Sequence, residues 1–113
     1  MQRFIEPSIA LIWFMQFLDG GSERRMESHA VGLNNFFEER LQQAKHLDEV
    51  PPIGADSKEY PISRERATEL FQILSHREDL ETVQICVAGL RRFLREEMER
   101  QRNAPPVPAA AQG

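Results

Sequence analysis

The stretch that decides the fold is residues 78–102, EDLETVQICVAGLRRFLREEMERQR. Its apolar residues recur at intervals of three and four positions, which is the spacing of residues on one face of an α-helix. Acidic residues stand at its beginning, and Arg100 and Arg102 stand at its end, so the charges complement the helix dipole. We therefore predict a long amphipathic helix over 78–102, whose apolar face consists of Leu80, Val83, Val87, Leu90, Leu94 and Met98.

A second stripe with the same spacing lies earlier in the chain. Ser22 is a residue type that caps helix N-termini, and Glu23 follows it where an acidic side chain favours the positive helix end. The pattern predicts a helix over 22–47 that ends near His46 or Leu47. Its apolar face consists of Met26, Ala30, Leu33, Phe37, Leu41 and Ala44.

A shorter apolar stripe predicts a third helix over 63–75. The start of the fourth helix has two candidates. Ser75 and Glu78 stand three apart, as a capping box requires. Asp79 and Thr82 have the same spacing, so the sequence leaves the start open between them.

The N-terminal segment is apolar on nearly its whole circumference. Pro7 suits the first position of a helix, and Gly20-Gly21 is typical of the chain just beyond a helix end. We predict a helix over 7–18, with a strand as the alternative that a short apolar run leaves open. The run is too short to span a membrane, which takes about 20 apolar residues.

Three interpretations of this N-terminal helix remain open. It can form the centre of the protein's own fold, the core of a homodimer, or a docking element for a different protein. Large aromatic side chains supply hot spots in interfaces, so we expect Trp13, Phe14 and Phe17 to contribute more to association than to folding of the monomer. The candidate partner-binding residues are Ile9, Ile12, Trp13, Phe14, Phe17 and Leu18.

These elements predict an all-α fold, a small bundle of about four helices in a single domain over 1–102 that includes the apolar N-terminal segment 1–19. The two long stripes should pack against each other, with the third helix completing the bundle. Residues 48–62 contain several helix breakers and form a long connection. The Pro- and Ala-rich tail over 103–113 has no burial pattern and is expected to be disordered.

Composition narrows the function classes. The 113 residues carry a net charge of −4, and an acidic chain is a poor non-specific ligand for nucleic acid. A lone cysteine, Cys86, cannot form an intramolecular disulfide, which fits a reducing compartment, so we expect a cytoplasmic protein. A small domain has much surface relative to its core, and association often covers surplus apolar area, so we also expect a homodimer.

Catalytic, cofactor-binding and metal-binding patterns are not found in the sequence. The three histidines include no pair four residues apart, and Gly20-Gly21 lacks the Lys-Ser sequence of a phosphate-binding loop. Cys86 lies in an apolar helical stretch that favours a buried, inert thiol. The acid pairs Glu38-Glu39 and Glu96-Glu97 fall on polar faces, where we expect solvated charges. We therefore predict a non-enzymatic protein without a cofactor.

A cluster of arginines in the last helix supports an alternative, a helical nucleic-acid-binding module. The cluster contains Arg91, Arg92 and Arg95, but glutamates are interleaved with it. Arg92 with Glu96, and Arg95 with Glu99, stand four apart and can pair on the helix surface, so a salt-bridged exposed face is the simpler interpretation.

In size, acidity and helical organisation, the chain resembles the small helical regulators of bacteria, which include small secretion chaperones and anti-activators. Among these, it is similar to the quorum-sensing anti-activators that bind an acyl-homoserine-lactone receptor and block its dimerisation. The resemblance lies in the overall profile and brings no functional residue with it. It implies a protein that binds another protein, a transcription regulator, and covers that regulator's dimer interface with an apolar helical surface. A small chaperone or adaptor subunit is a further alternative.

Overall fold

Four α-helices make up most of residues 4–46 and 62–103, the part of the chain that the computed structural model describes. They are α1 (Pro7–Leu18), α2 (Glu23–Gln43), α3 (Arg64–His76) and α4 (Leu80–Asn103). The predicted all-α fold is confirmed. The predicted connection over 48–62 and the predicted tail over 103–113 lie outside the described residues, apart from Ile62, which is buried, and Asn103, which ends α4.

Serine caps begin the second and third helices. The hydroxyl of Ser22 accepts a hydrogen bond from the Arg25 N–H at 3.2 Å, and that of Ser63 accepts one from the Arg66 N–H at 3.0 Å. Each cap satisfies one of the backbone donors that the first turn of a helix leaves unpaired. Both starts agree with the sequence prediction.

The predicted end of α2 near His46 or Leu47 is wrong, because the helix ends at Gln43 and Ala44 is extended. Beyond this point, the backbone pairs with the α3–α4 junction and no longer makes helical hydrogen bonds. The Lys45 N–H donates to the Glu78 carbonyl at 2.7 Å, and the Leu80 N–H donates to the Lys45 carbonyl at 2.8 Å. Lys45 cannot make these bonds and continue the helix.

The start of α4 is decided in favour of Asp79. Its carboxylate accepts a hydrogen bond from the Thr82 N–H at 3.0 Å, and α4 begins at Leu80, the residue after Asp79. Ser75 belongs to the last turns of α3, where its hydroxyl donates to the Phe71 carbonyl at 2.9 Å. The capping box of Ser75 with Glu78 is therefore not formed.

The core is built where all four helices contribute phenylalanine side chains. Phe14 of α1 stacks on Phe71 of α3 with ring centroids 5.0 Å apart, and it lies 6.2 Å from Phe93 of α4. Phe36 of α2 stacks on the same Phe71 at 5.6 Å. The α2 and α4 stripes pack against each other, as predicted, and α3 completes the bundle against α4.

The first helix lies antiparallel to α2. At one end, the Ile5 N–H donates to a carboxylate oxygen of Glu39 at 2.5 Å. Near the middle of both helices, the ring of Trp13 packs directly over Gly32. From the first contact to the second, the residue numbers rise along α1 and fall along α2, so the two helices are antiparallel. Together the two contacts hold α1 on one side of α2. No described helix is both long and apolar enough to cross a membrane.

Candidate functional site

The outward face of α1 is an exposed apolar surface. Ile9, Leu11, Ile12 and Met15 are 43%, 37%, 55% and 53% exposed, respectively. All four belong to one 12-residue helix, so they are held close together by the helix itself. Single exposed apolar residues are ordinary, but a group of them on one side of a helix is a candidate site of interaction. We call these four residues the α1 outer face.

The opposite side of α1 belongs to the core. Ala10, Phe14 and Phe17 are fully buried and stand at i, i+4 and i+7, which is one helical stripe. The expectation that Phe14 and Phe17 contribute more to association than to folding is therefore corrected. Their rings are buried by the other helices of the same chain and offer nothing to a partner.

The predicted partner-binding residues thus fall into three groups. Ile9 and Ile12 are exposed, Phe14 and Phe17 are in the core, and Trp13 and Leu18 are partly buried against it. The sequence prediction did not include Leu11 and Met15, which are also exposed. The signal that could have found them is the pair of polar residues in α1, Ser8 and Gln16, which stand four residues before and after Ile12 and so mark the outward side of the helix.

Trp13 holds α1 in place at the edge of the outer face. A Cβ atom on Gly32 would come within 3.0 Å of Cε3 and 3.1 Å of Cζ3 of the indole, which is closer than side chains normally approach. Glycine at this position therefore makes a notch in α2 that receives the ring. A role of Trp13 in association stays a prediction, and its contact with α2 gives it a structural role.

The α1 outer face is also uncharged. No residue of α1 carries a charge, and the residues of α2 in the same row as Gly32, Ser28 and Asn35, are neutral as well. Asp19, which follows α1, is exposed, and among the described residues it forms no ion pair. The surface therefore suits a partner that buries apolar groups and makes few ionic contacts.

The arginine cluster is largely engaged within the chain. Arg91 donates to a carboxylate oxygen of Glu38 at 2.7 Å and to the Asn34 side chain at 3.1 Å, which ties α4 to α2. Nε of Arg92 lies 4.0 Å from a carboxylate oxygen of Glu96, and this is one of the two ion pairs that the sequence predicted. The predicted pair of Arg95 with Glu99 is not formed in the described part of the chain. Arg91 therefore has a structural role.

Two acidic side chains are buried among the residues that the structure describes. Glu97 was expected to be solvated, but it is 1% exposed and accepts hydrogen bonds from Arg64 at 2.9 Å and Arg100 at 2.8 Å. A buried carboxylate needs such partners, since desolvation penalises its charge. Asp79 is buried too; burial alone would raise its pKa, but hydrogen bonds from Thr82 and Arg77 outweigh that effect and lower the pKa to about 2.

Cys86 is fully buried, as the sequence predicted. Desolvation raises the pKa of its thiol to about 11, so the reactive thiolate is scarce at neutral pH. Within residues 4–46 and 62–103, no cluster of three or more histidine, cysteine or acidic side chains has the arrangement to hold a metal ion.

Comparison of the chain with protein-family models, with curated proteins and with solved structures finds no match.

Proposed function

We propose that this chain is a non-enzymatic regulatory protein that binds another protein through the α1 outer face. The observation that carries the proposal is the exposure of Ile9, Leu11, Ile12 and Met15 on a helix whose other side is locked into the core. A helix that presents i, i+3 and i+6 apolar side chains on a rigid body suits docking into an apolar groove or beside another helix.

The energy available from this face is modest. Full burial of one Ile, Leu or Met side chain contributes about 1.5–3 kcal/mol, and each of these four is roughly half-exposed already, so the face offers about 3–6 kcal/mol. Association costs at least a comparable amount in lost translational and rotational freedom. The partner must therefore supply further contacts around the face, and Trp13 and Leu18 at its edges are available for them.

Within this class, we propose that the partner is a transcription regulator and that the chain acts as an anti-activator. Subunits of many regulators associate through apolar helices, and an apolar helix on a rigid bundle competes for such a surface. Covering the surface blocks dimerisation of the regulator and, with it, DNA binding at two half-sites. The support is the exposed apolar helix together with the resemblance in size, acidity and helical organisation.

The test compares three forms of the full chain as bait in a lysate of the native cell. Ile12→Lys places a charge at the centre of the α1 outer face, while Ile85→Lys makes the same change at an exposed position of α4, where Ile85 is 45% exposed. We expect one endogenous protein to bind the wild type and the Ile85 variant saturably. The same protein should not bind the Ile12 variant. Equal binding to all three forms would contradict the proposal.

The alternative of nucleic-acid binding is separated by a second measurement. Retention on DNA that weakens steeply with salt, and that disappears when Arg91, Arg92 and Arg95 are neutralised, is the signature of phosphate contacts. We expect no such retention, because Arg91 already pairs with Glu38 and Asn34. An apolar interface predicts instead that partner binding changes little with salt.

A further inference from the structure

A groove between α1 and α2 has the ring of Trp13 as its floor. The ring packs over Gly32, where α2 has no side chain, and it is only partly buried. On the side away from the core, residues three or four positions from Trp13 on α1 and from Gly32 on α2 border the ring. They are uncharged, and we call the site that they enclose the Trp13 groove: Ile9, Gln16, Ser28 and Asn35.

The end of α4 lies close to this groove. Oε1 of Gln101 is 4.0 Å from the position that a Cβ atom on Gly20 would occupy, and Arg102 donates to a carboxylate oxygen of Glu23 at 2.8 Å. Helix α4 therefore ends beside the turn that joins α1 to α2. Trp13 stands seven residues before Gly20, which is about 10 Å along the helix.

The sequence that follows α4 matches the groove in chemistry and in length. Residues 104–113, APPVPAAAQG, contain three prolines and no charged side chain, whereas residues 48–62 carry five charged side chains. Proline-rich segments dock on aromatic side chains, because the polyproline II conformation that they favour leaves little entropy to lose. At about 3.1 Å per residue, Pro108 can reach about 15 Å from the end of α4, which is sufficient to bring it to Trp13.

We propose that residues 104–113 occupy the Trp13 groove of their own chain, with proline rings packed against the indole. The segment then competes with the partner for Ile9 and Trp13, at the edge of the α1 outer face. The inference rests on the proposed function, because it adds regulation to the same site. The partner must displace the segment before it can cover this edge, so the contact is autoinhibitory.

The short connection makes a small contact sufficient. A segment tethered by a few residues has an effective concentration on the order of 1 mM. A contact with a dissociation constant of about 0.1–1 mM therefore covers the groove for about 50–90% of the time. The apparent affinity for the partner falls with the fraction of open molecules, so loss of the contact should strengthen partner binding about 2- to 10-fold.

The first experiment measures quenching by acrylamide of Trp13, the single tryptophan, in three forms of the full chain. One form is the wild type. The proline variant combines Pro105→Gly, Pro106→Gly and Pro108→Gly, which removes all proline rings from the segment. The matched control combines Ala109→Gly, Ala110→Gly and Ala111→Gly, which adds three glycines and keeps the prolines.

We expect stronger quenching and emission at longer wavelength in the proline variant alone. None of these changes touches the four helices, so a loss of folding does not complicate the comparison. Equal quenching in all three forms would overturn the inference. A control that behaves as the proline variant does would overturn it as well, because the contact would then not depend on proline.

The second experiment supplies the segment as a synthetic peptide of residues 104–113. Added to the proline variant, the peptide should lower the quenching of Trp13 again and saturate at about 0.1–1 mM, the range in which a tethered contact is effective. A peptide with glycine in place of the three prolines should have no effect. A wild-type peptide without a saturable effect, or a glycine peptide with the same effect, would refute the contact.

The proposed function fails separately from this inference. If quenching is equal in all forms and the partner still does not bind the Ile12→Lys form, the function stands without autoinhibition. If the proline variant exposes Trp13 but the partner binds wild type and Ile12→Lys equally, the contact of the segment stands without the function. If both hold, the partner should bind the proline variant about 2- to 10-fold more tightly than the alanine-to-glycine control.

Discussion

Replacement of Phe14 by alanine should destabilise the protein far more than the same change at Ile12, two residues away. The Phe14 ring has no exposed surface, stacks on Phe71 at 5.0 Å and lies 6.2 Å from Phe93. Truncation of a core phenylalanine to alanine costs roughly 3–5 kcal/mol, because it removes buried apolar surface and leaves a cavity. Ile12 is 55% exposed, so its truncation should cost only about 0.5 kcal/mol.

The assay is urea denaturation at low protein concentration, followed by circular dichroism and by the fluorescence of Trp13, the single tryptophan. Domains of this size have a total stability of about 5–15 kcal/mol, so the loss in Phe14→Ala is a large share of it and shifts the midpoint strongly. The slope of the transition should be unchanged for Ile12→Ala, which serves as the matched control from the same helix.

Equal midpoints for the two variants would refute the assignment of Phe14 to the core. That result would favour the interpretation that the sequence alone allows, in which α1 is a docking element that contributes little to folding. A Phe14→Leu variant should lie between wild type and Phe14→Ala, because leucine keeps most of the apolar volume but loses the aromatic stacking. This intermediate keeps the comparison possible if Phe14→Ala does not fold.

Three further predictions concern residues that fix the ends of helices or the packing of α1 against α2. The pKa of Asp79 is lowered from 3.8 to about 2, so its charge stabilises the fold above pH 3.8, and this contribution is lost as the pH falls toward 2. The difference in the free energy of unfolding between wild type and Asp79→Asn should therefore shrink between pH 3.8 and pH 2, which acid titrations of unfolding would measure. Gly32→Ala should not deliver the gain of about 1 kcal/mol expected for alanine in a helix, because the new Cβ meets the Trp13 ring at 3.0 Å; the tryptophan emission should shift to longer wavelength as the ring is displaced. Arg40 donates to the Arg77 carbonyl at 2.6 Å and so holds the end of α3; Arg40→Ala should cost about 1.5–3 kcal/mol in urea denaturation, and faster amide exchange confined to the end of α3 and the start of α4 should accompany it.

The two sides of α1 have different tasks, which matters for the design of any binding experiment. The core side, Ala10, Phe14 and Phe17, stabilises the monomer, and changes there would disturb binding only by disturbing the fold. The α1 outer face can be changed at Ile12 without a large effect on stability. Variants at Ile12 and Ile85 therefore separate loss of binding from loss of structure.

Local signals in the sequence were enough to determine the class of fold and most of the helix boundaries. Ser22 and Ser63 cap their helices through hydrogen bonds to residues three positions ahead, and such interactions are visible in sequence spacing. The stripes of α2 and α4 recur at the helical period, and their contrast between apolar and polar faces fixed both the type of element and the side that is buried. The burial of Cys86 follows from the same contrast.

Tertiary structure alone decided the features that depend on residues far apart in the chain. The end of α2 is set by backbone bonds from Lys45 to Glu78 and Leu80, and Glu97 is buried because Arg64 of another helix reaches it. The orientation of α1 is the clearest case: apart from Ser8 and Gln16 the helix is apolar nearly all round, so its sequence holds little contrast from which to choose a buried side. Only the packing of Phe14 on Phe71 and of Trp13 over Gly32 made that choice, and with it decided which residues remain exposed for a partner.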